Sequence, residues 1–173
     1  MRESAGPSLR QRTAALLRRE AALLALLLAY SLIFYRQLAL QGLVLIDYDV
    51  LTYFYPNLSY AAEALRQGRL PLWNPYLFTG APFLANLQTG LFYPPNWAFL
   101  LLPVPQGYSW SVVGHIFIAA TGAYAFARIG LGVGGLAALV GTLVFAFGGY
   151  ASSLVTHLNQ LQGAAWLPWL FLL

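Results

Sequence analysis

Two stretches of this chain, residues 108–127 and 131–150, contain no Asp, Glu, Lys or Arg, and each is long enough to cross the hydrocarbon of a bilayer as a helix. Such runs need either the interior of a large protein or a lipid phase. With 173 residues, 60% of them hydrophobic and only 8% charged, the chain lacks the polar side chains to wrap a water-soluble core around them. The mean hydropathy of +0.65 agrees. The sequence therefore predicts an all-α polytopic membrane protein with about four transmembrane helices.

The charged residues place the boundaries. Arg2, Arg10, Arg12, Arg18 and Arg19 crowd residues 1–20, a basic tail that the positive-inside rule assigns to the cytoplasm. Residues 21–40 are the expected first transmembrane helix, with Arg36 snorkelling outward. An uncleaved anchor is favoured over a signal peptide because no small-x-small site stands near 30–40. The second and third helices are expected at 108–128 and 131–151, joined by a turn through Ile129, Gly130, Leu131 and Gly132 beside Arg128. A fourth begins at 164–173 and is still apolar at Leu173, so the chain is expected to be a piece of a longer protein. This topology leaves a long extracytoplasmic first loop, 41–107, and a short one, 152–163.

All of the positive charge comes from Arg, mostly in the N-terminal cluster, which is not the footprint of a nucleic-acid-binding protein. With no Cys, thiolate metal sites and Cys nucleophiles are excluded. No Ser-His-Asp order, phosphate-cradling glycine loop or zinc motif is present.

The long loop is where chemistry is expected, since irregular connections of this size are uncommon unless they serve a function. Val50, Phe54, Leu58, Ala61 and Leu65 form one helical stripe, predicting an interfacial helix that Pro56 opens or kinks and Gly68 ends. Beyond it, Pro and Gly are dense enough to prevent continuous helix. The short apolar stretch 98–102 is expected to dip into the membrane surface.

Several residues are candidates for a site. Asp47 and Asp49 point to one face if extended, where they can hold a divalent cation or supply a general base. Alternatively, they mark or cap a helix end. Arg66 and Arg69 suit bidentate phosphate recognition, or else complete the helix end and pair with Glu63. Trp73, Tyr76, Phe83, Tyr93 and Trp97 offer a sugar-stacking wall or simple packing at the interface. His157, Asn159, Gln160 and Gln162 lie in the second outer loop, on the side of the two Asp residues, where they can line a common pocket or merely hydrate a turn. His115, inside the second helix, is expected to face the bundle or a cavity.

Asp49 followed by Tyr53, Tyr55 and Pro56, the helix to Arg69, and then LPLWNPYLFTGAPFLANLQTGLFYPPNW resemble the first outer loop of YfhO-type bacterial membrane proteins. HLNQLQGAAWLPWL resembles the start of that family's fourth span. Leu-Pro-Leu-Trp-Asn-Pro, with Trp73 and Asn74, then Gly80 and Asn86, is the most specific part. The resemblance implies a GT-C-like glycosyltransferase of the bacterial cytoplasmic membrane that takes a sugar from a polyprenyl-phosphate carrier. It implies an acidic residue of the first outer loop at the reaction centre, which falls on Asp49, with Asp47 accessory. The expected substrate-binding set is Arg66, Arg69, Trp73, Asn74, Tyr76, Asn86, His157, Asn159 and Gln160. The two arginines enter it by charge logic and not by the family motif. The competing expectation is a non-catalytic membrane protein that binds or transports a lipid-linked carrier or serves in assembly.

Overall fold

The computed structural model describes residues 9–173, and within them the chain is mostly helical. Helix α1 runs Leu9–Phe34, so it starts inside the stretch expected to be a polar tail. Residues 1–8 of that tail, with Arg2, and the side chains of Arg10 and Arg12 lie outside the described residues. The chain turns at Tyr35 and continues as α2, Arg36–Ala39. The uncharged part of α1 from Ala21 onward is about 21 Å long at 1.5 Å per residue, shorter than a bilayer's hydrocarbon. The expected first span is therefore one apolar helix end plus a second short piece.

Among the described residues, two helices are long and apolar enough to cross a membrane. One is Val104–Gly130, comprising α4 (Val104–Ala125) and a wider π turn through Gly130. Pro105, whose missing N–H costs nothing in a first helical turn, opens it. The other is Gly135–Thr156, made of α5 (Gly135–Phe147), α6 (Gly149–Ser153) and a last tight turn. It breaks at Gly148, whose extended ψ of 172° interrupts the helix. A Cβ there would lie 2.3 Å from the Val144 carbonyl oxygen, so the bend needs glycine. Helix α7, Leu158–Leu170, then returns along α4. It starts earlier than the apolar segment expected at 164, taking the polar His-Leu-Asn-Gln-Leu-Gln run into its first turns. The expected second loop thus shrinks to a bend between α6 and α7.

Helix α3, Tyr55–Arg66, is continuous with a π turn over Val50–Phe54. Pro56 has no N–H to give to the preceding turn, and the wider register just before it absorbs the defect. The stripe predicted for the membrane surface is instead covered by protein. Val50, Phe54 and Leu58 share one buried cluster with Phe99, Val104, Tyr108 and Val112. Phe54 meets the Tyr108 ring edge-on at 5.9 Å. Each such side chain contributes about 1.5–3 kcal/mol on burial, so this stripe docks α3 onto α4.

The rest of the long connection is a folded cap. A two-residue antiparallel ladder pairs β1 (Trp73–Asn74) with β2 (Ala81–Pro82). Its loop closes through Phe78, Thr79 and Gly80, all at positive φ. At Gly80 the Trp73 indole occupies the place of a side chain, 2.5 Å from where a Cβ would stand. Residues Pro94–Leu100 form a tight 3-10 helix that buries Phe99 against Gly107. Phe99 therefore takes the stretch expected to dip into lipid down into the protein, leaving Leu101 outside.

Candidate site at the loop end of the bundle

The start of α3's helical run and the start of α7 meet at the end of the bundle that carries the long connection. Asp49 stands immediately before the π turn, already in helical conformation. Thr52 and Tyr53 follow one turn later on the same face. From the other side, His157 ends the 3-10 turn after α6 and leads into Asn159 and Gln160. Asp49, Thr52, Tyr53, Phe54, Gln88, His157, Asn159 and Gln160 line a cavity of about 380 Å³. Across it, His157 Nε2 lies 3.1 Å from Asp49 Oδ2, both side chains being partly open to solvent at 41% and 47% exposure. Thr156 Oγ1 is 3.1 Å from the other imidazole nitrogen.

The cavity wall is held by polar contacts. The Tyr53 hydroxyl donates to Asn86 Oδ1 at 2.9 Å. Asn86 Oδ1 also accepts from the Gln88 N–H, which sets the turn that presents Gln88. Burial pushes the Tyr53 phenol above its ordinary range, the Asn86 bond pulling it partly back, so it stays a neutral donor. Tyr55, raised by burial, donates to the Leu45 carbonyl and ties down the strand of chain leading to Asp49.

The two aspartates do not act as a pair. Asp47 Oδ1 accepts from the Asp49 N–H at 3.2 Å, capping the helix start, and its side chain does not line the cavity. The expectation that both face one way assumed extended chain. Asp49 is helical, and residues two apart on a helix diverge. Among the described residues no cluster of three or more His, Asp or Glu side chains is arranged to hold a metal ion. Asp47 Oδ1 is engaged by the main chain at Asp49, while Asp49 Oδ2 is turned to His157.

Neither arginine lines this cavity. Arg66 spends its guanidinium on main-chain carbonyls, reaching Leu100 through Nε at 3.0 Å and Phe99 and Leu102 through Nη2 at 2.8 and 3.3 Å. These are carbonyls that the end of the Pro94–Leu100 helix leaves open. Arg69 donates to Gln67 Oε1 and borders a separate surface cavity of about 500 Å³ with Tyr60, Glu63 and Tyr76.

The aromatic wall is dispersed. Phe83 is buried against Tyr60, Trp97 donates to the Leu91 carbonyl, and Tyr76 is 82% exposed. Trp73 covers Gly80, and Asn74 is buried with Oδ1 accepting from the Tyr76 N–H.

A second polar cluster sits where the cap meets α4 and α7. Trp166 Nε1 donates to the Tyr93 hydroxyl at 2.6 Å, and that hydroxyl lies 2.7 Å from His115 Nε2. His115 Nδ1 lies 2.7 Å from the Ser111 carbonyl oxygen. An indole only donates and a carbonyl only accepts, so the protons run one way: indole to phenol, phenol to Nε2, Nδ1–H to carbonyl. Beside it, Gln162 Nε2 donates to Asn96 Oδ1 at 2.6 Å, and Asn96 Nδ2 donates to the Gly90 carbonyl. His115 does face the bundle interior, but as a clasp for the cap. Gln162, placed by the sequence in a hydrated loop, is buried.

Comparison of the chain with protein-family models, curated proteins and solved structures gives no match. The site must be read from its own residues.

Of the cavity-lining positions that the sequence reading did not assign to the site, Thr52 and Tyr53 were accessible from helical spacing, since they lie three and four residues after Asp49. Gln88 carried no such signal. It reaches the cavity only through the Asn86 turn.

Proposed function

We propose that the chain is the membrane-embedded, N-terminal part of a glycosyltransferase, and that Asp49 is the base of a transfer from a polyprenyl-phosphate-linked sugar to a cell-envelope hydroxyl. Four spans, from α1 with α2, α4, α5 with α6, and α7, are part of this reading, with the N-terminus in the cytoplasm of a bacterial inner membrane. Two helices of spanning length support it. So do the large apolar side chains left exposed around the bundle, among them Leu26, Ile33, Leu136, Val144 and Leu170, because lipid is the solvent in which such a surface is stable.

The observation that carries the catalytic reading is the Asp49 carboxylate at the wall of a polar cavity, held by His157 at 3.1 Å. In the proposed step, the acceptor O–H gives its proton to Asp49 while its oxygen bonds to the anomeric carbon. The carbon–oxygen bond to the phosphate breaks, and the phosphate leaves with the electron pair. Of the residues lining the cavity, His157 is the one that can carry positive charge, so it takes the role that charge logic assigned to Arg66 and Arg69. Thr52, Gln88, Asn159 and Gln160 offer donors and acceptors for sugar hydroxyls.

The test is Asp49→Asn beside Asp47→Asn in the whole gene product, assayed for envelope glycan modification at matched membrane levels. Asp49→Asn is expected to lower transfer by about 10²–10⁴-fold, with Asp47→Asn close to normal. Unchanged glycan with Asp49→Asn would replace this reading by the non-catalytic one, a carrier-binding or assembly module. Labelling of single cysteines at positions 47 to 100 from the cytoplasmic side would refute the topology.

A further inference from the structure

At the opposite end of the bundle, side chains from α1 and α4 converge on the first residue of α5. A Cβ placed on Gly135 would lie 2.8 Å from Arg19 Nη2 and 4.0 Å from the Tyr124 hydroxyl. The three residues line one cavity of about 410 Å³, whose remaining wall is apolar and includes Leu23, Leu26 and Leu139.

Two independent features mark this cavity as incomplete. The first is the start of α5, a helix of 13 residues with no acidic residue in its first turn and no side-chain cap at Gly134. Its leading N–H groups, which have no partner within the helix, and the positive end of its dipole lie at the residue that Arg19 approaches. The second is Tyr124. It is only 5% exposed, yet its hydroxyl has no hydrogen-bond partner among the described residues. A buried hydroxyl without a partner carries a desolvation cost that a bound acceptor would remove.

We infer that this groove binds the phosphate-bearing head group of an anionic lipid. The phosphate sits between the Arg19 guanidinium, the Tyr124 hydroxyl and the first N–H groups of α5, and the lipid's chain lies along Leu23, Leu26 and Leu139. Arg suits phosphate because its planar fork gives two parallel bonds. The apolar wall selects an amphiphile over a free anion, which would leave that wall in water. Arg18 precedes Arg19 and Glu20 follows it, and Arg128, whose Nη1 donates to the Val133 carbonyl, lies in the turn just before α5, so these four charges leave a net positive balance around the groove. The inference rests on the chain residing in a bilayer but not on glycosyl transfer, and the groove shares no residue with the Asp49 cavity.

The experiment is native mass spectrometry of the whole protein in neutral detergent, titrated with phosphatidylglycerol, phosphatidylcholine or sodium phosphate. Phosphatidylglycerol is expected to be retained preferentially. Arg19→Gln and Tyr124→Phe should each weaken its retention by about tenfold, the loss of one charge-assisted hydrogen bond. Tyr124→Phe keeps the ring and removes only an unpartnered oxygen, so its fold is secure. Leu139→Trp fills the groove without touching charge and should also displace the lipid. Equal retention of the two lipids, unchanged retention by Tyr124→Phe or Leu139→Trp, or full competition by sodium phosphate would each overturn the assignment. An unaltered Asp49→Asn phenotype would leave it standing.

Discussion

His157 Nε2 meets Asp49 Oδ2 at 3.1 Å, joining the helix start after the first connection to the bend before α7. The contact exists because α3 docks on α4 through Phe54 and Tyr108, while α7 packs along the same helix. It lies at the rim of the polar cavity, and its contribution to stability is small. A pair this exposed contributes no more than about 1 kcal/mol.

His157→Gln is therefore expected to leave thermal unfolding in detergent almost unchanged while lowering glycan transfer by an order of magnitude or more, roughly the worth of one positioned charged hydrogen bond. A large fall in melting temperature with transfer per folded molecule intact would make His157 a structural strut.

Arg66 separates the phosphate and packing roles cleanly. Its three carbonyl bonds hold the end of the Pro94–Leu100 helix, and an ammonium cannot reproduce the fork. Arg66→Lys should destabilise by about 1–2 kcal/mol in a denaturant titration, with the apparent affinity for lipid-linked donor unchanged. A donor-affinity defect without a stability defect would return Arg66 to the site.

Tyr93→Phe should cost about 1–3 kcal/mol, because it leaves both the Trp166 N–H and His115 Nε2 without their partner. The same residue gives an alkaline signature. Burial holds the Tyr93 phenol above its ordinary value of 10.0, the Trp166 bond opposing this. The folded state thus keeps this proton more tightly than the unfolded chain. Its stabilising contribution is complete below about pH 10 and declines as pH rises past 10 and through the folded value. Melting curves from about pH 8 to 11 should fall more steeply for the wild type than for Tyr93→Phe. Parallel curves would refute the linkage.

Gly148→Ala should cost about 1–3 kcal/mol, since the new Cβ falls 2.3 Å from the Val144 carbonyl and the backbone must move. It should impair transfer as well, because the Gly148 bend aims α6 toward His157. Gly141→Ala, where a Cβ meets open space within α5, is the control, expected to gain about 0.5–1 kcal/mol. If the two variants melt alike, the bend is not the constraint described here.

Hydropathy and the placement of charge were sufficient for the two long apolar helices, for a long ordered connection between α2 and α4, and for singling out Asp49 as a candidate, but not for the helical Thr52–Tyr53 face beside it. These are properties of single residues and of local periodicity, read directly from the solvent each segment prefers. The periodicity of Val50, Phe54 and Leu58 likewise revealed a buried face but not what buries it, and the docked α4 took the place that lipid was expected to fill. Tertiary packing alone decided which polar groups meet. Arg66 was drawn away from any phosphate by carbonyls that a 3-10 helix left open, and Asp47 was taken by the N–H beside it. Gln162 was buried by a helix that began earlier than its polarity implied. Such pairings depend on where unsatisfied backbone groups end up once the helices have packed, and no single segment carries that information.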